Sequence, residues 1–240
     1  MKKVRQYIEE LQGEEEISSE MVHHEEIPER EARFRPWPKL PSSLSDALQD
    51  SGFSKAYEHQ SKALELLEQG KNVAVITPTA SGKSLIYAVS VLKALLSNQD
   101  SRSLFIFPLK ALEQDQSRML LHLLHAVGLP DDSCAIMDGD TPQSRRKKMK
   151  ASPPSMLLTN PDMLHYGILP FHSQWEELFA NLEFIVVDEL HTYRGVFGSH
   201  VAQLFRRLAR LCRFYGSTPQ WISCSATIAN PGEFSERLVG

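Results

Sequence analysis

The sequence predicts an α/β fold: a mainly parallel sheet with helices on both faces, preceded by an acidic N-terminal extension. Apolar runs of four to six residues recur along the chain, short enough for buried strands. Between them lie stretches with helical periodicity. At one junction, VAVITPTASGKS (73–84), run, small-residue loop and helix follow one another in the layout of a phosphate-binding P-loop.

The elements are read in order. Residues 1–33 are Glu-rich, with Val4, Ile8 and Leu11 spaced for a short helix that Gly13 ends. This arm is expected to be solvated or loosely docked. Three prolines make FRPWPKLP (34–41) an extended strap, with Phe34 and Trp37 as packing anchors rather than, as the alternative, rings that stack on a base. The domains are therefore set at 1–41 for arm and strap and 42–240 for the folded body. A helix capped by Ser42 or Ser43 runs to Gly52, and Tyr57, Leu64, Leu66 and Leu67 give a second, ended by Gly70. The strand and helix around the P-loop follow, then SLFIF (103–107), a helix over about 110–127, SCAIM (133–137), a basic segment RRKKMK (145–150) and SMLLT (155–159). Short helices near 162–166 and 175–179 lead to FIVVD (184–188). A long amphipathic helix over about 200–215 precedes the last strand, WISCS (221–225).

The 240 residues, 42% hydrophobic and 23% charged, are ordinary for a soluble globular chain with one substantial core. The net charge of −4 gives no global basic field, but ten Glu against five Lys or Arg fall in the first 33 residues. The rest is close to neutral, which leaves room for a locally basic groove. Cys134, Cys212 and Cys224 lie far apart, without a zinc or disulfide spacing. No apolar run reaches the roughly 18 residues of a membrane span. A cytoplasmic protein without a membrane partner is expected.

In the P-loop, backbone N–H groups must wrap a phosphate chain, so the loop is built from small residues: Thr79, Ala80, Ser81 and Gly82. Lys83 is placed to reach the outer phosphates and the Ser84 hydroxyl to ligate Mg2+. The usual glycine at the head of the pattern is Thr77. About 105 residues further on, FIVVDELH (184–191) ends a strand in two acids at the edge where the P-loop sits. Asp188 is suited to hold Mg2+, and Glu189 to take a proton from an attacking water. SAT (225–227) ends a third strand, its Ser225 and Thr227 hydroxyls within reach of the loop that carries His191. Lys83, Asp188 and Glu189 are thus the candidate catalytic set.

The order TPTASGKS, DELH, SAT resembles motifs I, II and III of superfamily 2 helicases of the DExH type. The wider text is similar to the YprA-like helicases, the group of bacterial mitomycin repair factor A. Its carriers are YEHQ (57–60), FPLKALEQDQ (107–116), MDGDTP (137–142), TNPDMLHYGILP (159–170), DELHTYRGVFGSHVA (188–202) and SATIANP (225–231).

The resemblance implies a RecA-like domain that uses ATP and Mg2+. It makes Gln60 the adenine-reading glutamine, with Tyr57 beside it. It also implies strand contacts from Lys110 and Gln114, from the loop of Asp138, Gly139, Asp140 and Thr141, and from Thr159, Asn160 and Asp162. Arg194, in a loop with aromatics and two glycines, joins them as a contact for single-stranded bases. Leu109 stands where most relatives carry Thr. The implied partners are single-stranded or tailed duplex DNA, with RNA not excluded, and a second RecA-like domain bearing motifs IV to VI. The chain is therefore expected to be the first motor domain of a DNA-repair helicase, binding nucleotide weakly and hydrolysing it slowly when alone. Two competing readings are a P-loop enzyme of another kind, such as a small-molecule kinase, and a nucleotide- or nucleic-acid-binding fragment without turnover.

Overall fold

Alternation along each strand sorts the core into two layers. Phe105, Met156, Leu158, Phe184, Val186, Ile222 and Cys224 point to one face of the main sheet, and Leu104, Ile106, Leu157, Ile185, Val187 and Trp221 to the other. A computed structural model describes residues 2–20, 22, 23, 31–78, 81–228 and 230–240. It divides into two units, Met1–Arg33 and Phe34–Gly240. The first contains helices α1 (Lys2–Gly13) and α2 (Glu15–Glu20). The spacing anticipated α1 and missed α2.

The second unit opens with β1 (Phe34–Arg35), which pairs antiparallel with β2 (Ala56–Tyr57) across helix α3 (Ser42–Asp50). This pairing, and the bond from Trp37 Nε1 to the Phe53 carbonyl (2.7 Å), place the strap with the larger unit rather than with the arm. Helix α3 has Pro41 at its cap position and no side-chain cap, where Ser42 or Ser43 was expected. Next come α4 (Glu58–Glu68), β3 (Val73–Ile76), α5 (Lys83–Ser97), β4 (Arg102–Ile106) and α6 (Lys110–Ala126). They are followed by β5 (Cys134–Ile136), α7 (Gln143–Ala151) and β6 (Met156–Thr159). Helix α8 (Pro161–Met163) runs on through a wide turn (Leu164–Ile168) and a tight one (Leu169–Trp175) into α9 (Glu176–Ala180). Then β7 (Leu182–Val187), α10 (Gly195–Phe214), β8 (Gln220–Ser225) and α11 (Pro231–Val239) complete the unit.

The six-stranded sheet has the order β3-β8-β7-β4-β6-β5, parallel throughout. Helices α3 to α6 cover one face, and α9 to α11 with the 164–175 turns cover the other. Parallel strands with helical crossovers put every strand's carboxyl end on one rim. Helix α5 is apolar nearly all round, since Leu85 to Leu92 are all buried, as a helix between the sheet and other helices must be. Helix α10 starts five residues earlier than its periodicity indicated. Arg194 is extended and caps it, and Gly198 lies so close to the Tyr193 carbonyl that a Cβ would stand 2.2 Å away. Among the described residues no helix is long and apolar enough to cross a membrane.

Candidate nucleotide site and strand-facing rim

The P-loop joins β3 to α5. Gly82 caps α5 at φ +77°, the left-handed region that glycine enters without steric cost. A Cβ there would also stand 2.6 Å from Gln60 Nε2. Thr77, the departure from the usual glycine, closes the loop: its hydroxyl lies 2.6 Å from that of Ser81, and its N–H donates to the Ser225 carbonyl (3.3 Å). The Lys83 ammonium donates to the carbonyls of Thr77 and Pro78, both at 2.9 Å, which holds its charge against the head of the loop. Thr79 and Ala80 lie outside the described residues.

Asp188 follows β7, two strands away from the P-loop. The sites nevertheless meet. Tyr87, one helical turn beyond Lys83 on α5, carries its hydroxyl to 3.2 Å from Asp188 Oδ2. Asp188 is 7% exposed, and burial pushes its carboxyl up to about 6 against the pull of the Glu189 N–H, Tyr87 and Lys83. A buried carboxylate with one backbone bond, one weak phenolic bond and, among the described residues, no ion pair is a donor set suited to a hard divalent cation. Together with the Ser84 hydroxyl at the start of α5, these residues fit a Mg2+–triphosphate.

Glu189 sits at φ +51°, a strained conformation for a residue with a side chain. The kink is held locally: the Glu189 N–H donates to Asp188 Oδ1 (2.8 Å), and its carbonyl accepts from the Thr192 N–H and hydroxyl. Its carboxylate is 3.2 Å from His191 Nδ1. His191 in turn donates its backbone N–H to Ser225 Oγ (3.2 Å). Ser225 thus touches both the P-loop and the DELH loop. Thr227 is exposed, and among the described residues no hydrogen bond ties it to that loop.

Gln60 is 1% exposed, and both ends of its amide are already engaged. Its Oε1 accepts from the Tyr57 N–H (2.8 Å), and its Nε2 donates to the Gly82 carbonyl (2.7 Å). It therefore clamps the start of α4 to the P-loop, and among the described residues one amide N–H and one lone pair stay uncommitted. Tyr57 is stacked between Phe34 (4.9 Å between ring centres) and His59 (5.7 Å). Phe34, expected to be a packing anchor, does pack on Tyr57 but stays half exposed.

On the other half of the rim the predicted strand contacts separate into two kinds. Lys110, Gln114 and Arg194 are exposed at the rim. Lys110 Nζ pairs with Asp140 (2.6 Å), next to Gly139. The 138–141 loop is stiffened from behind by Arg146, whose guanidinium donates to the carbonyls of Thr141, Asp138 and Gly139. Thr159 is a correction: as the last residue of a central strand it is wholly buried, its hydroxyl donating to the Met137 carbonyl (2.8 Å), so no surface is left for a strand. Asn160 is likewise turned inward, accepting from the Met163 N–H and donating to Glu113 Oε1, both at 2.9 Å. Glu113 is wholly buried, and burial raises its carboxyl above the ordinary range. Nothing in the run of polar residues around it marked it as interior. Tyr193 is also interior, packed against Phe197 and Phe205, while Phe197 stays partly exposed.

Fold and site define a RecA-like P-loop nucleotide-binding domain. A family model described as DEAD/DEAH box helicase matches residues 57–234, and the chain belongs to that family. It is 46% identical over its whole length to the ATP-dependent helicase YprA of Bacillus subtilis, of which it spans 31%. It is 40% identical over 99% of its length to the ATP-dependent helicase HRQ1 of Saccharomyces cerevisiae, of which it spans 22%. The crystal structure of the DUF1998 helicase MrfA bound to DNA and AMPPNP superposes with a TM-score of 0.87 at 45% identity, over 93% of this chain and 32% of that one. The expected likeness to the first domain of YprA-like helicases is thus borne out. The chain spans about a third or less of each of these relatives.

Proposed function

We propose that this chain is the ATP-binding motor domain of a DNA helicase acting in repair, with a second RecA-like domain completing the machine. The observation that carries this reading is the meeting, through Tyr87, of the P-loop helix and a buried Asp188 beside a rim of strand-facing loops. Lys83 binds the outer phosphates once its two loop carbonyls are exchanged for phosphate oxygens. Ser84 and Asp188 would hold Mg2+, which when bound screens the phosphate charge and fixes the phosphate geometry. Glu189, aimed by its left-handed backbone and by His191, orients the attacking water and accepts its proton. Lys110, Gln114, the backbone at Gly139 and Arg194 grip the strand, with phosphate contacts positioning it irrespective of sequence. Ser225 passes the state of the site between the two loops it touches. Similarity to MrfA bound to DNA favours DNA as the strand.

The test is binding of a fluorescent ATP analogue with Mg2+, followed by single-turnover hydrolysis with and without single-stranded DNA. Lys83→Ala should weaken binding at least tenfold. Glu189→Gln should spare binding and slow hydrolysis by about 10²- to 10⁴-fold, the usual worth of a general base. Hydrolysis by the chain alone should be slow, since an arginine supplied by a partner surface contributes about 10³ to 10⁵ in comparable reactions. Unchanged nucleotide affinity in Lys83→Ala refutes the proposal. Tight binding with no Glu189-dependent turnover under any strand condition makes the chain a binding fragment instead.

A further inference from the structure

We propose that the Tyr87 hydroxyl is a positioning link that couples strand binding on α6 to the Asp188 carboxylate. The inference rests on the function proposed above and concerns how its two halves communicate. The Tyr87 ring is wholly buried on α5 and held edge-on against Phe105, with ring centres 5.7 Å apart at 78°. Its oxygen lies 2.6 Å from Gln116 Oε1 and 3.2 Å from Asp188 Oδ2. A phenol has one proton to donate, and both neighbours are acceptors, so the two bonds compete. The shorter bond here is to Gln116. The O–H is therefore committed towards α6 while Asp188 Oδ2 is only loosely restrained.

Helix α6 is where the strand-facing loops are anchored. Lys110 in its first turn pairs with Asp140, and Glu113, a turn further on, holds Asn160. Gln116 follows on the same helix after three residues, about 4.5 Å along the axis. A helix moves as a rod, so a strand that pulls on Lys110 or on the 138–141 loop also moves Gln116. Hydrogen bonds weaken over a few tenths of an ångström beyond about 3.2 Å. A sub-ångström shift of α6 is then enough to hand the Tyr87 proton from Gln116 to Asp188. Given that proton, Asp188 Oδ2 is fixed by Tyr87 while Oδ1 stays fixed by the Glu189 N–H. Strand occupancy is thereby written into the orientation of the Asp188 carboxylate.

The test uses the whole chain, a fluorescent ATP analogue with Mg2+ and a single-stranded oligonucleotide. The dissociation constant of each ligand is measured with and without the other; the two ratios must agree, because coupling is reciprocal. The wild-type ratio is expected in the usual allosteric range of about 5- to 150-fold. Tyr87→Phe keeps the buried ring and removes the hydroxyl. It should bring the ratio below about twofold while each ligand alone binds within about threefold of wild type. Gln116→Met, at a half-buried position, keeps the length of the side chain, removes the amide acceptor and should give the same loss. The double variant should lose no more than either single one, since the two groups share one bond. A wild-type chain that binds both ligands independently, or a Tyr87→Phe or Gln116→Met chain with an intact ratio, overturns the link. Nucleotide binding that ignores Lys83→Ala instead overturns the function on which the link rests, so the two failures are told apart.

Discussion

Replacing Asp188 by Asn should stabilise the ligand-free protein at neutral pH. The carboxyl group is buried, and its pKa is pushed up to about 6 from an ordinary 3.8. A group whose folded pKa lies above its unfolded value binds more protons when folded, so stability falls as pH rises between those values. Above about pH 6 the folded chain carries the full cost of an ionised, poorly partnered carboxylate. Two pKa units at 1.36 kcal/mol each set that cost at roughly 3 kcal/mol. Asparagine keeps an oxygen for the Glu189 N–H but cannot accept from Tyr87 as a carboxylate does, so the net gain should be about 1–2 kcal/mol. For a chain of this size that is a rise of about 2–8 °C in melting temperature. Thermal melts of both proteins from pH 4 to pH 8 measure it. The curves should converge near pH 4 and separate progressively above it. With Mg2+ and ATP the order should reverse, because only the wild type gains the full ligand-linked stability. A variant equally or less stable at pH 8 without ligand, or a gap that does not change with pH, refutes the argument that Asp188 is held ready for a cation at a cost to the fold.

The other predictions concern the supports of the site. Gly82→Ala forces a side chain into the left-handed region and against Gln60 Nε2, so denaturant unfolding should show a loss of about 1–3 kcal/mol together with weaker nucleotide binding. Asn160→Ala removes a helix cap and the hydrogen-bond donor that faces Glu113; it should cost about 2–4 kcal/mol, more at pH 8 than at pH 5, because the orphaned carboxylate is then ionised. If Asn160→Ala instead weakens strand binding and leaves stability untouched, Asn160 is a direct contact after all.

Much of this was written in the chain's local pattern. Apolar runs such as 184–188 and 221–225 can only be strands buried on both faces, and they fix a parallel sheet with its loops on one rim. The P-loop was legible despite Thr77, because the demand for small residues and the Lys83-Ser84 pair survive that exchange. Side-chain direction was not legible. Thr159 and Asn160 are polar and sit in a motif, so they read as surface contacts, yet one ends a central strand and the other caps a turn over a buried acid. Glu113 lies among Lys, Gln and Asp, and only the packing of α6 on the sheet turns it inward. Nothing in the sequence singles out Tyr87 among its apolar neighbours on α5. Its hydroxyl acquires meaning only when Gln116 and Asp188, 29 and 101 residues away, arrive beside it.

The strand order has a mechanical corollary. P-loop, SAT and DELH end the adjacent strands β3, β8 and β7, whereas the motifs assigned to the polymer end β4, β6 and β5, apart from Arg194, which follows β7. On the function proposed here, fuel and track would occupy neighbouring lanes of one sheet, meeting at a seam between β7 and β4 about 4.8 Å wide, with Arg194 reaching across it. The Asp188 N–H itself stitches that seam, donating to the Ile106 carbonyl at 3.1 Å. Backbone strands in such a sheet hardly stretch, so on that proposal traffic between the lanes would fall to the helices packed on them: small tilts of α5 against α6, read out at the rim.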